Sequence, residues 1–253
     1  FKSWFHHPTH GLVDLFNQQG YRSVAIHPFW SDFYDRTRVY KNLGFSEFIA
    51  LEQFSVNAKK IHGYISDQAH VDRIIETFEN KSTDERLFLF SITMQNHFPY
   101  DRAEEGIALL PYQIRLPDMP QQTSAELFLS LIRVSDDALK QLIQYFETVE
   151  EPTLIVLFGD HLPGLSESLR PFYNKLAGKD FAQLDLMETR KMFETPFMIW
   201  ANYPLPDDQI DVTSPNFLSV TVAQLADATL SPYYTFVHDL TKNISAISNK
   251  IIV

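Results

Sequence analysis

The chain has no cysteine among its 253 residues. Disulfides, thiolate nucleophiles and cysteine-ligated zinc or iron–sulfur centres are therefore excluded. It also has no lysine- or arginine-rich run, and its formal net charge is −11. Non-specific binding to nucleic acid or to an anionic membrane surface needs basic patches, so both are disfavoured and no nucleic-acid partner is expected. No stretch approaches the roughly 20 apolar residues of a membrane span. Internal repeats and low-complexity tracts are missing. The opening FKSWFHHPTHGLVDLF has neither an initiator methionine nor a targeting pattern. It reads as a piece of a longer protein that begins in mid-domain. What is present is a core: hydrophobic residues make up 45% and aromatics 14%. That suits one large α/β domain over residues 1–253.

Along the chain, helical and strand patterns alternate. Residues 9–19 place Leu12, Val13, Leu15 and Phe16 on a short helix closed by Gly20, with Thr9 as its N-cap. Residues 22–27 (RSVAIH) form a strand, 66–81 a helix, and 86–93 (RLFLFSIT) a strand too apolar to be half exposed. Residues 124–149 carry Leu127, Leu131, Val134, Ala138, Leu142 and Phe146 at steps of three or four, an amphipathic helix. Two further buried strands follow at 153–158 and 196–201, then a helix at 216–228. The proline-bearing piece from Pro99 to Pro120 reads as an excursion within the domain. Continuously apolar strands separated by helices predict an α/β fold with a largely parallel sheet covered by helices on both faces. Such sheets bind ligands beyond the carboxyl ends of their strands. Three polar clusters fall there.

The first cluster is TLIVLFGDHLPG, where five apolar residues run into Gly159, Asp160 and His161. A carboxylate and an imidazole at a strand end are both ligands for a divalent metal of borderline hardness such as Mn²⁺ or Zn²⁺. The competing reading makes Asp160 a turn cap and His161 a surface residue. The second is MQNHFPY, with His97 after a buried strand, either donating to a phosphate or sulfate oxygen or packed between Phe98 and Tyr100. The third is HPFWSDFYDRTRVY, from His27 at a strand end. Phe29, Trp30, Phe33 and Tyr34 surround Arg36 and Arg38, and a guanidinium fork among aromatics suits an anion. Alternatively these arginines pair with Asp32 or Asp35. His6, His7 and His10 look like a metal cluster but have no carboxylate at ligand spacing among them.

Taken together, GYRSVAIHPFWSDFYDRTRVYKNLGFSEF, ITMQNHFPY, FGDHLPG and ETPFMIWANY resemble the lipoteichoic acid synthase family of the sulfatase and alkaline phosphatase superfamily. The motifs occur in the family's order, and the similarity covers nearly the whole chain. The resemblance implies a sulfatase-like α/β fold on the extracellular face of the cell membrane. Enzymes of that family move glycerol phosphate from phosphatidylglycerol, through a covalent intermediate on a threonine, to a growing polymer. On that pattern Asp160 and His161 are ligands of Mn²⁺, or of another divalent ion. Arg36 grips the glycerol phosphate, His97 is the substrate histidine and His27 a further histidine near the pocket. Tyr34 stands where lipoteichoic acid synthases carry tryptophan, which keeps an aromatic wall but loosens the inference about the acceptor. The partners implied are a phosphatidylglycerol-type lipid, a glycerol phosphate polymer and the membrane, reached through a missing N-terminal region.

The family's metal-binding glutamate and threonine nucleophile precede the part matching Gly20 to Phe48, and only nineteen residues precede Gly20 here. The nucleophile is therefore expected upstream of Phe1, which makes this chain the C-terminal portion of a catalytic domain, inactive alone and a weak Mn²⁺ binder. A non-catalytic anion-binding module, or a phosphatase- or sulfatase-type hydrolase, is the alternative.

Overall fold

The computed structural model describes residues 5–100, 103–119, 123–164, 166–207 and 209–247. In chain order the elements begin with α1 (Leu12–Gln18), β1 (Tyr21–Ile26), α2 (Arg36–Asn42) and β2 (Glu47–Ile49). A small hairpin, β3 (Lys60–Ile61) and β4 (Tyr64–Ile65), leads into α3 (Asp67–Glu79) and β5 (Arg86–Ser91). Then come α4 (Ala103–Ala108), α5 (Thr123–Phe146) and β6 (Leu154–Phe158). The chain ends with α6 (Arg170–Ala177), α7 (Leu186–Lys191), β7 (Phe197–Ala201), α8 (Pro215–Leu225) and α9 (Pro232–Thr241).

The main sheet has the order β2-β1-β5, and both pairings are parallel. Val24 lies opposite Glu47 on one side and Leu89 on the other. Side chains alternate across a strand, and the sequence uses both faces. Val24, Ile26, Leu87 and Leu89 pack with Ile49, Phe54 and Ile74 of α3. Phe88 and Phe90 point the other way. There Phe88 stacks on Phe16 of α1 at 4.8 Å, and Phe45 meets both rings at 6.4 and 6.1 Å. Val24 and Ile26 are essentially sealed from solvent, and each such side chain contributes about 1.5–3 kcal/mol of transfer free energy. The sheet is thus covered by helices on both faces. Helix α5 buries Leu127, Leu131, Ala138, Leu142 and Phe146 along one stripe, packing the last three with Val71 of α3. Beyond α1, the helices α8 and α9 close a cluster around Leu15, Phe217, Val220 and Tyr234.

Four details differ from the sequence expectation. Strand β7 runs antiparallel to β6, with Leu154 opposite Ala201 and Phe158 opposite Phe197; an apolar run carries no direction, so periodicity could not reveal this. Among the described residues β6 pairs only with β7 and β5 only with β1, so β5 is half-buried and Leu157 and Phe158 are 46% and 43% exposed. Thr9 is not an N-cap: α1 starts after Gly11, and the Thr9 hydroxyl donates to His7 O at 3.1 Å. The 99–120 excursion contains α4, whose Ala103 and Ile107 are buried against α5. Gly20 does end α1, in the left-handed region at φ +81°.

Candidate functional site

His27 follows the last residue of β1. Its backbone N–H continues the ladder to Ile49 O at 2.9 Å, and its Nδ1–H donates to Ile92 O at 3.1 Å. The imidazole is therefore pinned between β2 and β5 and is 2% exposed. Burial lowers its pKa to about 4; the Ile92 carbonyl works against that shift, Arg36 and His97 add to it, and the Asp160 carboxylate opposes it. At neutral pH His27 is uncharged, and its buried Nε2 has no hydrogen-bond partner. A neutral imidazole that already donates through Nδ1 can only accept at Nε2. It suits a ligand hydroxyl and cannot donate to a phosphoryl oxygen.

Arg36 opens α2 after two consecutive left-handed residues, Tyr34 and Asp35, both at φ +57°. A non-glycine residue in that region costs about 1–3 kcal/mol, so the surrounding packing dictates this turn. Its effect is to set the guanidinium among three rings, with Cζ 5.7, 5.4 and 5.5 Å from the centroids of Phe29, Phe33 and Tyr34. Its hydrogen bond goes to Phe33 O, at 3.2 Å. The two arginines of this segment separate cleanly: Arg38 Nε donates to Asp35 Oδ2 at 2.6 Å, whereas no carboxylate among the described residues pairs with Arg36. Burial lowers the Arg36 pKa, against the neighbouring Tyr40 and Tyr34 hydroxyls. This is a held, uncompensated cation in an acidic protein.

His97 lies in the loop after β5. Its Nδ1–H donates to Phe98 O at 2.8 Å, and its ring stacks on Phe98 at 4.4 Å and meets Tyr64 of the hairpin at 5.9 Å. The loop is braced from below by a buried polar network that sequence reasoning missed. Gln95 Oε1 accepts from Asp67 N at 3.1 Å, Ser135 Oγ donates to Asp67 Oδ2 at 2.5 Å, and Asn96 Nδ2 donates to Ser135 Oγ at 2.8 Å. Burial raises the Asp67 pKa to about 6 against hydrogen bonds from Ser135, the Gln95 region and Thr93. His70, one turn along α3, is fully buried beside Ser91, and burial lowers its pKa to about 3. In sequence, an Asp after Ser at a helix start reads as a cap, which hid this role.

Asp160 and His161 follow β6. Asp160 Oδ1 accepts from His161 N at 2.9 Å, the His161 Nδ1–H donates to Leu162 O at 2.9 Å, and His161 Nε2 lies 3.3 Å from Asp160 Oδ2. Gly159 is needed immediately before them. A Cβ there would meet Thr195 Cβ at 2.9 Å, and the Thr195 hydroxyl donates to Gly159 O at 2.6 Å. The pair offers an oxygen and an imidazole nitrogen side by side, fit donors for a borderline divalent ion. Among the described residues no group of three or more His, Asp or Glu side chains could hold a metal, so the fit is to part of a coordination shell.

These groups share one rim. Arg36, His97 and Asp160 each act on the charge of His27, as groups within about a Debye length, roughly 10 Å, do. Ring contacts link Phe29 of the arginine cage to Tyr64 at 6.5 Å, and Tyr64 to His97. The clusters after β1 and β5 thus lie together at the carboxyl end of the parallel strands, and Asp160, after β6, is near enough to act on His27. His6, His7 and His10 stay outside; His10 pairs with Asp14, a helical turn away, at 2.9 Å.

The architecture that carries these groups is a parallel α/β sheet covered by helices. The sequence model of the Sulfatase family matches residues 5–228, and the chain belongs to that family. It is 31% identical over 237 residues to a protein of Rhizobium meliloti (strain 1021) named for cyclic beta-1,2-glucan modification, covering 93% of this chain and 36% of that one. It is 22% identical over 191 residues to lipoteichoic acid synthase 1 of Bacillus subtilis (strain 168), covering 73% and 28% respectively. The chain thus spans about a third of the length of these curated relatives. In fold it is similar to the Streptococcus pyogenes phosphoglycerol transferase GacH in complex with sn-glycerol-1-phosphate, at TM-score 0.66 and 22% identity, over 89% of this chain and 55% of that one. The expected lipoteichoic acid synthase-like, alkaline phosphatase-superfamily fold is the observed one.

Proposed function

We propose that residues 1–253 are the C-terminal portion of a single catalytic domain of a metal-dependent phosphoglycerol transferase, acting on phosphatidylglycerol-type lipid during synthesis of a cell-envelope polymer. The observation that carries this reading is Arg36: a guanidinium fixed by three rings, with no carboxylate partner among the described residues, near His27, on which His97 and Asp160 also act. Its fork matches two oxygens of a phosphodiester. His27 accepts from a glycerol hydroxyl through Nε2. His97, with Nδ1–H committed to Phe98 O, takes a hydroxyl proton at Nε2 when neutral and donates to an oxygen when protonated, which suits proton transfer at an alcohol being attacked or released. Asp160 and His161 would hold the divalent ion, Mn²⁺ in this reading. When bound, that ion neutralises phosphoryl charge and lowers the pKa of an oxygen nucleophile.

The threonine nucleophile and the remaining ligands come, in this proposal, from outside these residues, as does any membrane anchor. Among the described residues no helix is long and apolar enough to cross a membrane. The site of action is the outer face of the cell membrane. Relatives named for glucan modification and for lipoteichoic acid synthesis support a role in modifying or building an envelope polymer. The test is release of diacylglycerol from a fluorescent phosphatidylglycerol analogue. The intact protein is expected to turn over with Mn²⁺ and to lose activity in Asp160→Ala; this chain alone is expected to bind Mn²⁺ weakly and release nothing. Robust turnover by this chain alone refutes the fragment reading. Glycerol phosphate binding by the intact protein without any turnover, in transfer or hydrolysis, favours a non-catalytic binder.

A further inference from the structure

We infer that the apolar cavity between the β3–β4 hairpin and helices α4 and α5 is the acyl-chain subsite for the anionic lipid proposed above as substrate; the inference rests on that reading. The cavity measures about 370 Å³, within the roughly 300–1,000 Å³ of sites that take a small molecule. Ile61 of the hairpin and Leu109, Leu110, Leu127 and Leu131 line it. Leu127 and Leu131 of α5 are 1% and 0% exposed, whereas Leu109, just past α4, is 86% exposed. The cavity thus runs from the surface down to the core. A lone exposed leucine needs no explanation. At the edge of an apolar cavity it lengthens the surface on which a hydrocarbon chain leaves water.

Charge names the occupant. Lys59 and Lys60 border the same cavity, and both are exposed. Among the described residues neither pairs with a carboxylate, whereas Lys81, Lys179 and Lys242 each do, at 2.8, 2.5 and 2.7 Å. Of the two glutamates on α4, Glu104 is engaged by Arg115 at 3.3 Å. In a chain of net charge −11, two adjacent uncompensated ammonium groups are a local exception. They are too few to hold a bilayer surface, which takes a cluster of about four to eight basic residues. They suit one anionic head group. An apolar cavity with cations at its mouth matches a hydrocarbon chain that ends in a phosphate ester.

The hairpin joins this cavity to the rim. His62 and Gly63 turn it at φ +55° and +82°, the left-handed pair of a tight hairpin. The turn sets Ile61 opposite Tyr64. Ile61 lines the cavity, while Tyr64 meets His97 at 5.9 Å and Phe29 of the arginine cage at 6.5 Å, and its hydroxyl donates to Phe98 O at 2.9 Å. A lipid whose phosphate reaches Arg36 therefore finds a place for a chain across one two-stranded ribbon. The lysines act on its phosphate through space, over about a Debye length, and favour an anionic head group over a zwitterionic one. Diacylglycerol, the product released in that reading, keeps its chains but has no phosphate for Arg36 or the lysines to attract, so it binds more weakly than the substrate.

The experiment measures binding to the purified intact protein in a chelator, by calorimetry and saturation-transfer NMR. The probes, used as monomers, are dioctanoyl phosphatidylglycerol, dioctanoyl phosphatidylcholine, dioctanoylglycerol and sn-glycerol-1-phosphate. Each methylene taken from water favours binding about fourfold. Dioctanoyl phosphatidylglycerol is therefore expected to bind at least about tenfold tighter than sn-glycerol-1-phosphate, with saturation passing from leucine and isoleucine methyls to its chain. Ile61→Trp fills the cavity and Leu109→Ser strips its edge. Each, checked by thermal melting, is expected to weaken the lipid about three- to tenfold and to leave sn-glycerol-1-phosphate unchanged. Lys59→Gln together with Lys60→Gln is expected to cut the preference for phosphatidylglycerol over phosphatidylcholine about threefold. Equal affinity for dioctanoyl phosphatidylglycerol and sn-glycerol-1-phosphate, or unchanged lipid affinity in both cavity variants, overturns the inference and leaves the proposed function standing. Chain-dependent lipid binding with no binding of sn-glycerol-1-phosphate and no loss in Arg36→Ala overturns the proposed function and keeps the cavity as an acyl-chain site. Dimerisation that is lost in Leu109→Ser, in place of lipid binding, makes the cavity a contact between copies and overturns the inference.

Discussion

Replacing Arg36 by alanine separates an anion site from an ordinary surface arginine. The guanidinium has three ring neighbours and no carboxylate partner among the described residues, so its removal has two calculable effects. Lost cation–π contact costs about 0.5–1 kcal/mol per well-placed ring at partly exposed sites, or roughly 1–2 kcal/mol of stability with partial overlap. That is small beside a domain stability of about 5–15 kcal/mol, so the variant stays folded. The second effect falls on the ligand. A phosphodiester that loses a desolvated guanidinium partner loses about 2–5 kcal/mol, a drop of roughly 30-fold to several thousandfold in affinity. Arg36→Lys keeps the charge but not the fork or the stacking, and belongs between the two. Arg38→Ala is the matched control, because that side chain already serves Asp35 and Phe5 O, each at 2.6 Å. It should cost stability and change anion affinity by less than about twofold, as screened charges do. Calorimetric titration of the intact protein with sn-glycerol-1-phosphate reads all four proteins. Equal affinity in wild type and Arg36→Ala, or an equal loss in Arg38→Ala, refutes the argument that an unpaired, caged guanidinium is the anion grip.

Two further perturbations test the frame around the site. Gly159→Ala places a methyl 2.9 Å from Thr195 Cβ and should cost about 1–3 kcal/mol as overpacking, with Thr195→Gly restoring part of it; a wild-type melting temperature in the single variant contradicts the close approach. Stability should also fall in acid. His27 and His70 are held neutral with pKa values of about 4 and about 3 against 6.5 when free, so below about pH 6.5 the unfolded chain takes up two protons the native one refuses, and stability declines until those pKa values are passed. Asp67 acts oppositely, holding its proton up to about pH 6 against 3.8 when free, so it adds stability as pH falls through that window. Near pH 5 the three groups together give a net slope of about 1.4 kcal/mol per pH unit, and Asp67→Asn should roughly double it. Denaturant melts between pH 7 and 4.5 measure this, and an unchanged slope in Asp67→Asn rules out the buried carboxyl as the offsetting group.

How much was legible in the sequence depended on what each signal encodes. The strands RSVAI, RLFLFS, LIVLF and FMIWA announce themselves because a sheet sandwiched by helices demands continuous apolar runs. The 124–146 helix does so because its stripe repeats at helical spacing. Direction is not encoded in such a run, so the antiparallel β7 was invisible. Residue types alone left Arg36 and Arg38 open, and only the family resemblance pointed to Arg36. The choice turns on Tyr34 and Asp35 both adopting φ +57°, and nothing about those two residue types requires a left-handed pair. Helix α2 was missed because RTRVYKN buries only Val39 and Tyr40, too few for a periodicity. The Asp67–Ser135–Gln95–Asn96 brace joins segments far apart in the chain, and each member alone has a commonplace explanation.

The charge balance of the rim argues for the kind of chemistry it supports. His27 contributes none at neutral pH, because burial keeps it unprotonated. Arg36 contributes one positive charge and Asp160 one negative. A phosphodiester entering that neutral arrangement adds one negative charge, and its transition state concentrates charge on the non-bridging oxygens. The ring contacts of Arg36 are Phe29, Phe33 and Tyr34, all from the loop after β1, whereas Asp160 follows β6. A phosphoryl group brought near Asp160 is repelled by its carboxylate. A divalent cation, which Asp160 and His161 would hold, would turn that repulsion into attraction, and a monovalent one would only cancel it. Substituting Asp160→Asn removes the repulsion together with the donor. Phosphate should therefore bind that variant at least as well as wild type in a chelator, and lose the gain that wild type shows on adding Mn²⁺. If wild type shows no such gain in the intact protein, Asp160 and His161 are a turn and a surface histidine, as the blander reading of FGDH has it.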